Sequence, residues 1–144
     1  MIKLIPNDAK WVEKGNYGTN GYFVRDADGN GIVYALDPQQ PVIAPETATF
    51  TKSNQDLTSL TFLDKTILPK NSNRYFADNL SLTTFETKNL VTSNVTDMGG
   101  MFAGMHALTA LDVSKFDTSK VTDMSGMFGD MATLTTLDTS KFDT

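Results

Sequence analysis

A repeated segment of 26 residues constrains the fold of this chain more than any other feature of its sequence. Residues 95–118 and 121–144 align without gaps at that offset and are identical at 17 of 24 positions. A fixed period of this length is typical of proteins built from stacked repeats, in which each copy covers its neighbour. The repeat is therefore the basis of the fold prediction.

An earlier segment continues the repeat in a weaker form. Residues 75–93 fall in register with residues 101–119, so that Phe76 aligns with Phe102. The alignment predicts a degenerate rung, which supplies apolar side chains at the same positions as the clear copies.

These observations divide the chain into two parts. We predict a β-rich N-terminal cap segment over residues 1–48 and a leucine-rich-repeat-like solenoid over residues 49–144. Within the solenoid, residues 49–93 would hold degenerate rungs and residues 94–144 the clear repeats. Because the last copy stops at "SKFDT", we expect the array to be truncated at its C-terminal end.

Each clear rung combines two periodicities. Apolar side chains recur at i, i+3, i+4 and i+7, the spacing of one helix face, at Met98, Met101, Phe102 and Met105. The "LTALDV" that follows has the L-x-x-L-x-L spacing of a leucine-rich-repeat strand. We therefore predict an α/β repeat fold with one short helix and one short strand in each rung.

The N-terminal segment lacks the repeat and has the chemistry of β-hairpins. The β-prone triplets at residues 22–24 and 32–34 flank "DGNG", which favours a tight turn. Three prolines within residues 38–45 then exclude a central strand. We expect this segment to cover the open apolar end of the first rung.

The same turn also matches a calcium-binding pattern. Oxygen-bearing side chains occur at positions 1, 3, 5 and 12 of an EF-hand-like loop, at Asp26, Asp28, Asn30 and Asp37. Such a loop needs a helix on each side, whereas the flanks here are β-prone and Pro-rich. The hairpin turn is therefore favoured, and no metal or other cofactor is expected.

The polar residues of the predicted strands would form one exposed face. Residues between the leucines point outward, and equivalents in stacked rungs lie about 4.8 Å apart. The predicted binding residues are Thr83, Glu86, Thr109, Asp112, Ser114, Thr135, Asp138 and Ser140. Such a ladder of hydroxyls and carboxylates suits glycan hydroxyls, a cationic peptide or a cation. It serves equally as a solvated face that binds nothing.

Composition and motifs argue against several functional classes. The net charge is −5, and residues 94–144 hold seven Asp and three Lys, so a nucleic-acid partner is not expected. The sequence contains no run of 18 apolar residues, so it predicts no membrane span. The chain has no cysteine and one histidine, His106, which we interpret as a solvent-facing turn residue. Nothing supplies the nucleophile or acid–base pair of an enzyme.

The sequence "FDTSKVTDMSGMF", followed by "LTTLDTSKFDT", resembles the BspA-like leucine-rich-repeat surface proteins of bacteria. The resemblance is close over residues 94–144 and weaker over residues 72–93. It implies a non-catalytic, extracellular protein of the cell surface or cell wall. An adhesin or ligand-binding module for host or neighbouring-cell glycans or proteins is the first expectation. A spacer or stalk that holds another domain away from the wall is the alternative.

Two further expectations concern partners and location. The last rung has no visible cap, so we expect it to fray, to continue into further repeats or to self-associate with another copy. The sequence shows neither a signal peptide nor a wall-sorting signal, and the surface location therefore follows from the resemblance alone.

Overall fold

The computed structural model describes residues 11–47, 57–140 and 142 of the chain. Within these residues the chain forms eight β-strands and no helix. The strands are β1 (Trp11–Tyr17), β2 (Gly21–Asp26), β3 (Asn30–Ala35), β4 (Val42–Ile43), β5 (Ser59–Phe62), β6 (Thr66–Ile67), β7 (Thr84–Glu86) and β8 (Leu90–Val91).

The larger of two sheets has five strands in the order β1-β2-β3-β5-β7. Its first two pairs are antiparallel, whereas β3–β5 and β5–β7 are parallel. The β2–β3 hairpin turns at Gly29, which has a φ of 90° and whose amide donates to the carbonyl of Asp26 at 3.1 Å. The hairpin predicted from "DGNG" is confirmed.

The smaller sheet has three parallel strands in the order β4-β6-β8. Because β3 pairs with β5 and β4 pairs with β6, residues 11–47 contribute strands to both sheets. The N-terminal segment is thus continuous with the strands that follow it. The predicted boundary between residues 48 and 49 lies outside the described residues.

We name the three copies of the repeat by their positions in the chain. The first copy comprises residues 70–94, the second residues 95–120 and the third residues 121–144. Parallel bridges join Asn71 to Asp97 and Asp97 to Asp123, and each pair is separated by 26 residues. The offset of the sequence alignment is therefore the offset at which the backbones of successive copies meet.

The predicted α/β solenoid with one helix in each rung is wrong. Residues 98–105, predicted as a helix, form a series of turns, the first closed by the amide of Met101 on the carbonyl of Met98 at 3.1 Å. Gly100 and Gly104 have φ angles of 60° and 77°, a left-handed backbone that interrupts a right-handed helix. The described residues instead form one mixed and one parallel sheet, followed by turns.

Hydrogen bonds to the next copy replace the helical ones. At 2.8 to 3.0 Å, the amides of Met98, Gly100, Phe102 and Gly104 donate to the carbonyls of Asp123, Ser125, Met127 and Gly129. In a helix, each amide would donate four residues back within its own segment. The amides of Ser72, Arg74, Phe76 and Asp78 donate to the second copy in the same way.

The predicted repeat strand is also reduced in the structure. Over "LTALDV" and its equivalent in the third copy, the backbones meet at one isolated bridge, Ala110 to Thr136. The side chains nevertheless face as predicted, since Leu108, Leu111 and Val113 are all buried. Apolar spacing thus identified the inward side chains correctly and misassigned the backbone that carries them.

One hydrophobic cluster joins both sheets to the repeat turns. Phe76, Phe102 and Phe128 stack in a column with 6.0 Å between the ring centroids of each neighbouring pair. Met98, Met101 and Met105 are fully buried, so the apolar residues that share this spacing do lie in the core although they are not on a helix. The column of phenylalanine rings therefore joins the same successive copies that the backbone hydrogen bonds join.

Candidate binding face

The binding residues predicted from the sequence all lie at the surface. The set is exposed throughout and consists of Thr83, Glu86, Thr109, Asp112, Ser114, Thr135, Asp138 and Ser140. We call this set the polar face. Glu86 ends β7 and Thr83 precedes that strand, whereas the other six residues lie outside the strands.

Three carboxylates of the polar face border one shallow depression. Glu86, Asp112 and Asp138 follow one another at intervals of 26 residues and line a depression of about 380 Å³. Phe85 and Leu111 contribute apolar surface to the same depression. The stacking of copies thereby converts one acidic position of the repeat into a row of carboxylates.

Two threonines of the polar face, Thr83 and Thr135, donate to the neighbouring segment of the chain. The amide and the hydroxyl of Thr135 both donate to the carbonyl of Thr109, at 2.9 and 3.1 Å. Thr83 donates in the same way to the carbonyl of Thr58, at 2.9 and 3.1 Å. Because these hydroxyl hydrogens are used within the protein, the threonine oxygens are left to a ligand only as acceptors.

Short turns hold the aspartates of the polar face in place. The amide of Ser114 donates to Oδ1 of Asp112 at 2.9 Å, and the amide of Ser140 donates to Oδ1 of Asp138 at 2.9 Å. Hydrogen bonds from the Ser114 side chain and backbone lower the pKa of Asp112, with a smaller contribution from the nearby Lys115. Asp112 is therefore negatively charged at neutral pH.

The arrangement offers a row of hydrogen-bond acceptors to a ligand. Ionised carboxylates accept hydrogen bonds from hydroxyl, ammonium and guanidinium groups, and such charge-assisted bonds are stronger than neutral ones. Asp112 and Asp138 occupy equivalent positions in successive copies, so the depression presents the same carboxylate twice beside Glu86.

The side of the larger sheet that carries Glu86 continues across β5 and β3, where the sequence predicted no binding residues. Strand pairing places Ile32 beside Thr61 and Thr61 beside Glu86, so their side chains share one side. Tyr34, two residues after Ile32, faces the same way, and its ring centroid lies 5.9 Å from that of Tyr22. The alternation within β3 was readable from the sequence, but its pairing with β5 was not.

Trp11 and His106 lie away from the polar face. Trp11, at the start of β1, is 9% exposed, so its ring is not presented to solvent. His106 is exposed in a turn, as predicted. Neither residue lines the depression of the polar face.

The structure uses the residues of the calcium pattern within local turns. Oδ1 of Asp26 accepts from the amides of Asp28 and Asn30, and its Oδ2 accepts from the side-chain amide of Asn30. Asp37 accepts from the amide of Gln39 in a separate turn. Among the described residues, no three acidic, histidine or cysteine side chains cluster so as to hold a metal ion.

A second and larger depression lies beside the three-stranded sheet, and the sequence analysis did not predict it. It has a volume of about 650 Å³, and its walls include Pro38, Pro41, Ile67 and Val91. The sequence identified residues 38–45 only as a loop. The apolar side chains opposite that loop come together through the parallel pairing of β6 with β8.

The described part of the chain has no helix with the length and apolar character that a membrane crossing requires.

Comparison with known proteins gives one match. A family model described as "Mycoplasma protein of unknown function, DUF285" matches residues 70–144, which are 75 of the 144 residues. The match begins at the first copy of the repeat and includes all three copies. Neither the curated proteins nor the solved structures give a match. The chain belongs to this family of Mycoplasma proteins of unknown function.

Proposed function

We propose that this chain is a non-catalytic binding module of a BspA-like bacterial surface protein. Its polar face would bind glycans or proteins on a host or neighbouring cell, outside the cell that makes it. The observation that carries the proposal is the convergence of Glu86, Asp112 and Asp138 on one depression. The family match over residues 70–144 supports the repeat part of the proposal.

The depression offers hydrogen-bond acceptors, so it requires a ligand that carries hydrogen-bond donors. The three carboxylates accept hydrogen bonds, and the hydroxyl oxygens of Thr83 and Thr135, whose hydrogens are used within the protein, are left to accept as well. A suitable ligand therefore presents a series of donors, as the hydroxyls of a glycan or the lysine and arginine side chains of a protein do. Tyr22 and Tyr34 extend the same side of the sheet with aromatic rings, on which a sugar ring can pack.

Neutralising the three carboxylates tests this proposal. The variant Glu86→Gln/Asp112→Asn/Asp138→Asn keeps the shape of each side chain and an oxygen for the serine amides, so the fold should persist. Charge-assisted hydrogen bonds contribute about 1.5–3 kcal/mol each, so we expect at least about tenfold weaker retention on immobilised mucin or a glycan array. The matched control is Asp117→Asn/Asp123→Asn/Asp130→Asn, which removes the same charge from exposed positions outside the polar face.

Equal retention of the two triple variants would contradict the proposal, because the polar face would then contribute no more than any other acidic surface. The spacer remains the alternative, and one observation favours it. The hydroxyls of Thr83 and Thr135 donate to the backbone of the preceding segment, so part of that face has a structural use. A spacer would show no retention of the unmodified chain on any of these surfaces.

A further inference from the structure

The outward side of the three-stranded sheet carries aliphatic side chains. Strand pairing places Ile43 beside Ile67 and Ile67 beside Val91, so the three side chains share one side. Ile43 is 41% exposed, and the other two are half-buried. We call these three residues the aliphatic row. Single exposed apolar residues are common on protein surfaces, whereas a contiguous row of three calls for an explanation.

The repeat itself does not require this row. The equivalent of Val91 in the second copy is Asp117, whose Oδ1 accepts from the amide and the hydroxyl of Ser119 at 3.0 and 2.6 Å. A carboxylate at this position is therefore compatible with the stacked copies. The aliphatic row belongs to β4, β6 and β8, and the packing of the repeat does not explain it.

A loop fastened by one asparagine forms a wall beside the row. The side-chain amide of Asn20 donates to the carbonyls of Asp37, Gln40 and Pro41 at 3.0 to 3.3 Å. Its Oδ1 accepts from the amide of Asp37 at 2.8 Å. Asn20 has a φ of 66°, a left-handed backbone that costs free energy and is kept where surrounding contacts fix it. The wall is therefore formed before any ligand arrives.

The larger depression lies between this loop and the sheet, and its floor includes Ile67 and Val91. Its volume of about 650 Å³ is within the range of small-ligand sites. Asp64 and Lys65 are the charged residues among its described lining. Oδ2 of Asp64 accepts from the amide of Ala35 at 2.8 Å, whereas Lys65 is exposed and forms no ion pair with a described carboxylate. The charge left for a ligand is therefore positive.

A side-chain amide adds a hydrogen-bond acceptor to the same depression. Nδ2 of Asn89 donates to the carbonyl of Phe62 at 2.8 Å, and no described group donates to its Oδ1. This oxygen can accept from an N–H group of a ligand. The larger depression thus combines an aliphatic floor, an available acceptor and an available cation.

These features suit the last residue of a peptide better than other occupants. The floor is two strands wide, with about 4.8 Å between strands, which fits one branched side chain and is too short for a fatty-acid chain. The apolar part of the described lining is aliphatic, whereas a sugar ring packs on aromatic rings. Three strands of two residues each are too small for a second copy of the chain, since a stable interface buries about 800 Å² on each partner.

We propose that the larger depression binds the C-terminal residue of a partner polypeptide that ends in Leu, Ile or Val. The side chain of that residue packs on Ile67 and Val91. Its main-chain amide donates to Oδ1 of Asn89, and its carboxylate pairs with Lys65. The larger depression takes an anion, whereas the polar face offers carboxylates, so the two surfaces select groups of opposite charge. The proposal does not rest on the function proposed for the polar face.

An NMR titration of the isotope-labelled chain with the peptide acetyl-Ala-Ala-Leu tests the proposal. Saturable shifts are expected at the amides of Ile67, Asn89 and Val91, and none at Asp112 of the polar face. The same peptide with an amidated C-terminus should bind about threefold more weakly, because it cannot pair with the exposed Lys65. In Lys65→Gln, the two peptides should bind equally.

The variant Val91→Asp tests the aliphatic floor. It introduces the residue that the second copy carries at the equivalent position, so the fold should persist, and saturable binding should be lost. The matched control is Ile43→Asp, which adds the same charge to the aliphatic row outside the described lining of the depression and should leave the affinity nearly unchanged.

Absence of saturable shifts in the unmodified chain would overturn the proposal. Equal affinity for the amidated peptide, for octanoate or for N-acetylglucosamine would also overturn it, as would unchanged binding in Val91→Asp. The comparison of the two peptides in Lys65→Gln leaves the floor intact, so it decides the proposal even where Val91→Asp unfolds the chain.

Discussion

The second and third copies of the repeat have nearly the same sequence and very different surroundings. Phe102 is fully buried between Phe76 and Phe128, whereas Phe128 has a copy on one side only and is partly exposed. In a stack of repeats, burial is thus decided by which neighbours are present and not by the residue's own segment. Equivalent substitutions in the two copies should therefore have unequal effects.

The largest difference is expected at the aromatic column. Truncation of a fully buried phenylalanine costs about 3–5 kcal/mol, so Phe102→Ala should lower the free energy of unfolding by that amount. Phe128→Ala should cost about half as much, because the ring loses contacts on one side only. Urea unfolding of both variants measures the ratio, and equal losses would contradict the one-sided packing of the third copy.

A smaller effect is expected from a side-chain hydrogen bond that joins the first two copies. The hydroxyl of Thr92 is buried and exchanges hydrogen bonds with the backbone of Asp117, accepting from its amide at 2.8 Å and donating to its carbonyl at 3.2 Å. Thr92→Val should lower the free energy of unfolding by about 1–3 kcal/mol, because it leaves buried polar groups without partners.

The control for this variant is Thr122→Val at the next junction. The hydroxyl of Thr122 donates to the carbonyl of Thr96 at 3.2 Å, but Thr122 is exposed and water can replace the bond. Its loss should change the unfolding free energy by less than about 0.5 kcal/mol. Equal losses of unfolding free energy in the two variants would contradict the claim that burial makes the Thr92 hydrogen bonds more important than that of Thr122.

Glycines with left-handed backbones give a further comparison. Gly100 and Gly126 have φ angles of 60° and 64°, so alanine is strained at both positions. A Cβ at Gly100 would lie 3.0 Å from Cγ of Arg74, whereas a Cβ at Gly126 would have no neighbour within 4 Å. We expect Gly100→Ala to cost about 2 kcal/mol and Gly126→Ala about 1 kcal/mol in urea unfolding. The reverse order would contradict the stacking.

The smallest effect is a change in the pKa of exposed aspartates, and it should be the same in the second and third copies. Hydrogen bonds from Ser125 lower the pKa of Asp123, as those from Ser114 lower that of Asp112. Because each pKa is lowered on folding, the interaction stabilises the protein above the ordinary carboxyl range and is lost as the pH falls through the folded pKa. Ser125→Ala and Ser114→Ala should raise the respective pKa values similarly in an NMR titration. A shift in one copy alone would mean that stacking influences these turns.

Side-chain orientation was the part of the fold most open to prediction from sequence. The alignment of Phe76 with Phe102 gave the register of the copies, and the apolar spacing gave the buried methionines. Local turn chemistry likewise predicted the β2–β3 hairpin. These features depend on residues close in sequence or on the repeat itself, and both can be read from a single chain.

The backbone of the repeat could not be predicted in this way. Turns with left-handed glycines place Met98, Met101 and Phe102 on one side much as a helix would, so the apolar period is the same for both. What separates them is the hydrogen-bond partner, which lies 25 residues away for Phe102 and Met127. The exposure of the polar face could be read from the strand spacing. Tyr22 and Tyr34 join its side of the sheet only through the pairing of β3 with β5, which links strands distant in sequence.

The fold rests on alternate amides, those of Met98, Gly100, Phe102 and Gly104, which donate to the next copy and not within a helix. Scalar couplings across hydrogen bonds, measured by NMR on isotope-labelled protein, test it directly. A coupling between the amide nitrogen of Phe102 and the carbonyl carbon of Met127 is the predicted result. A coupling from Phe102 to the carbonyl carbon of Met98 would instead show a helix and contradict this structure.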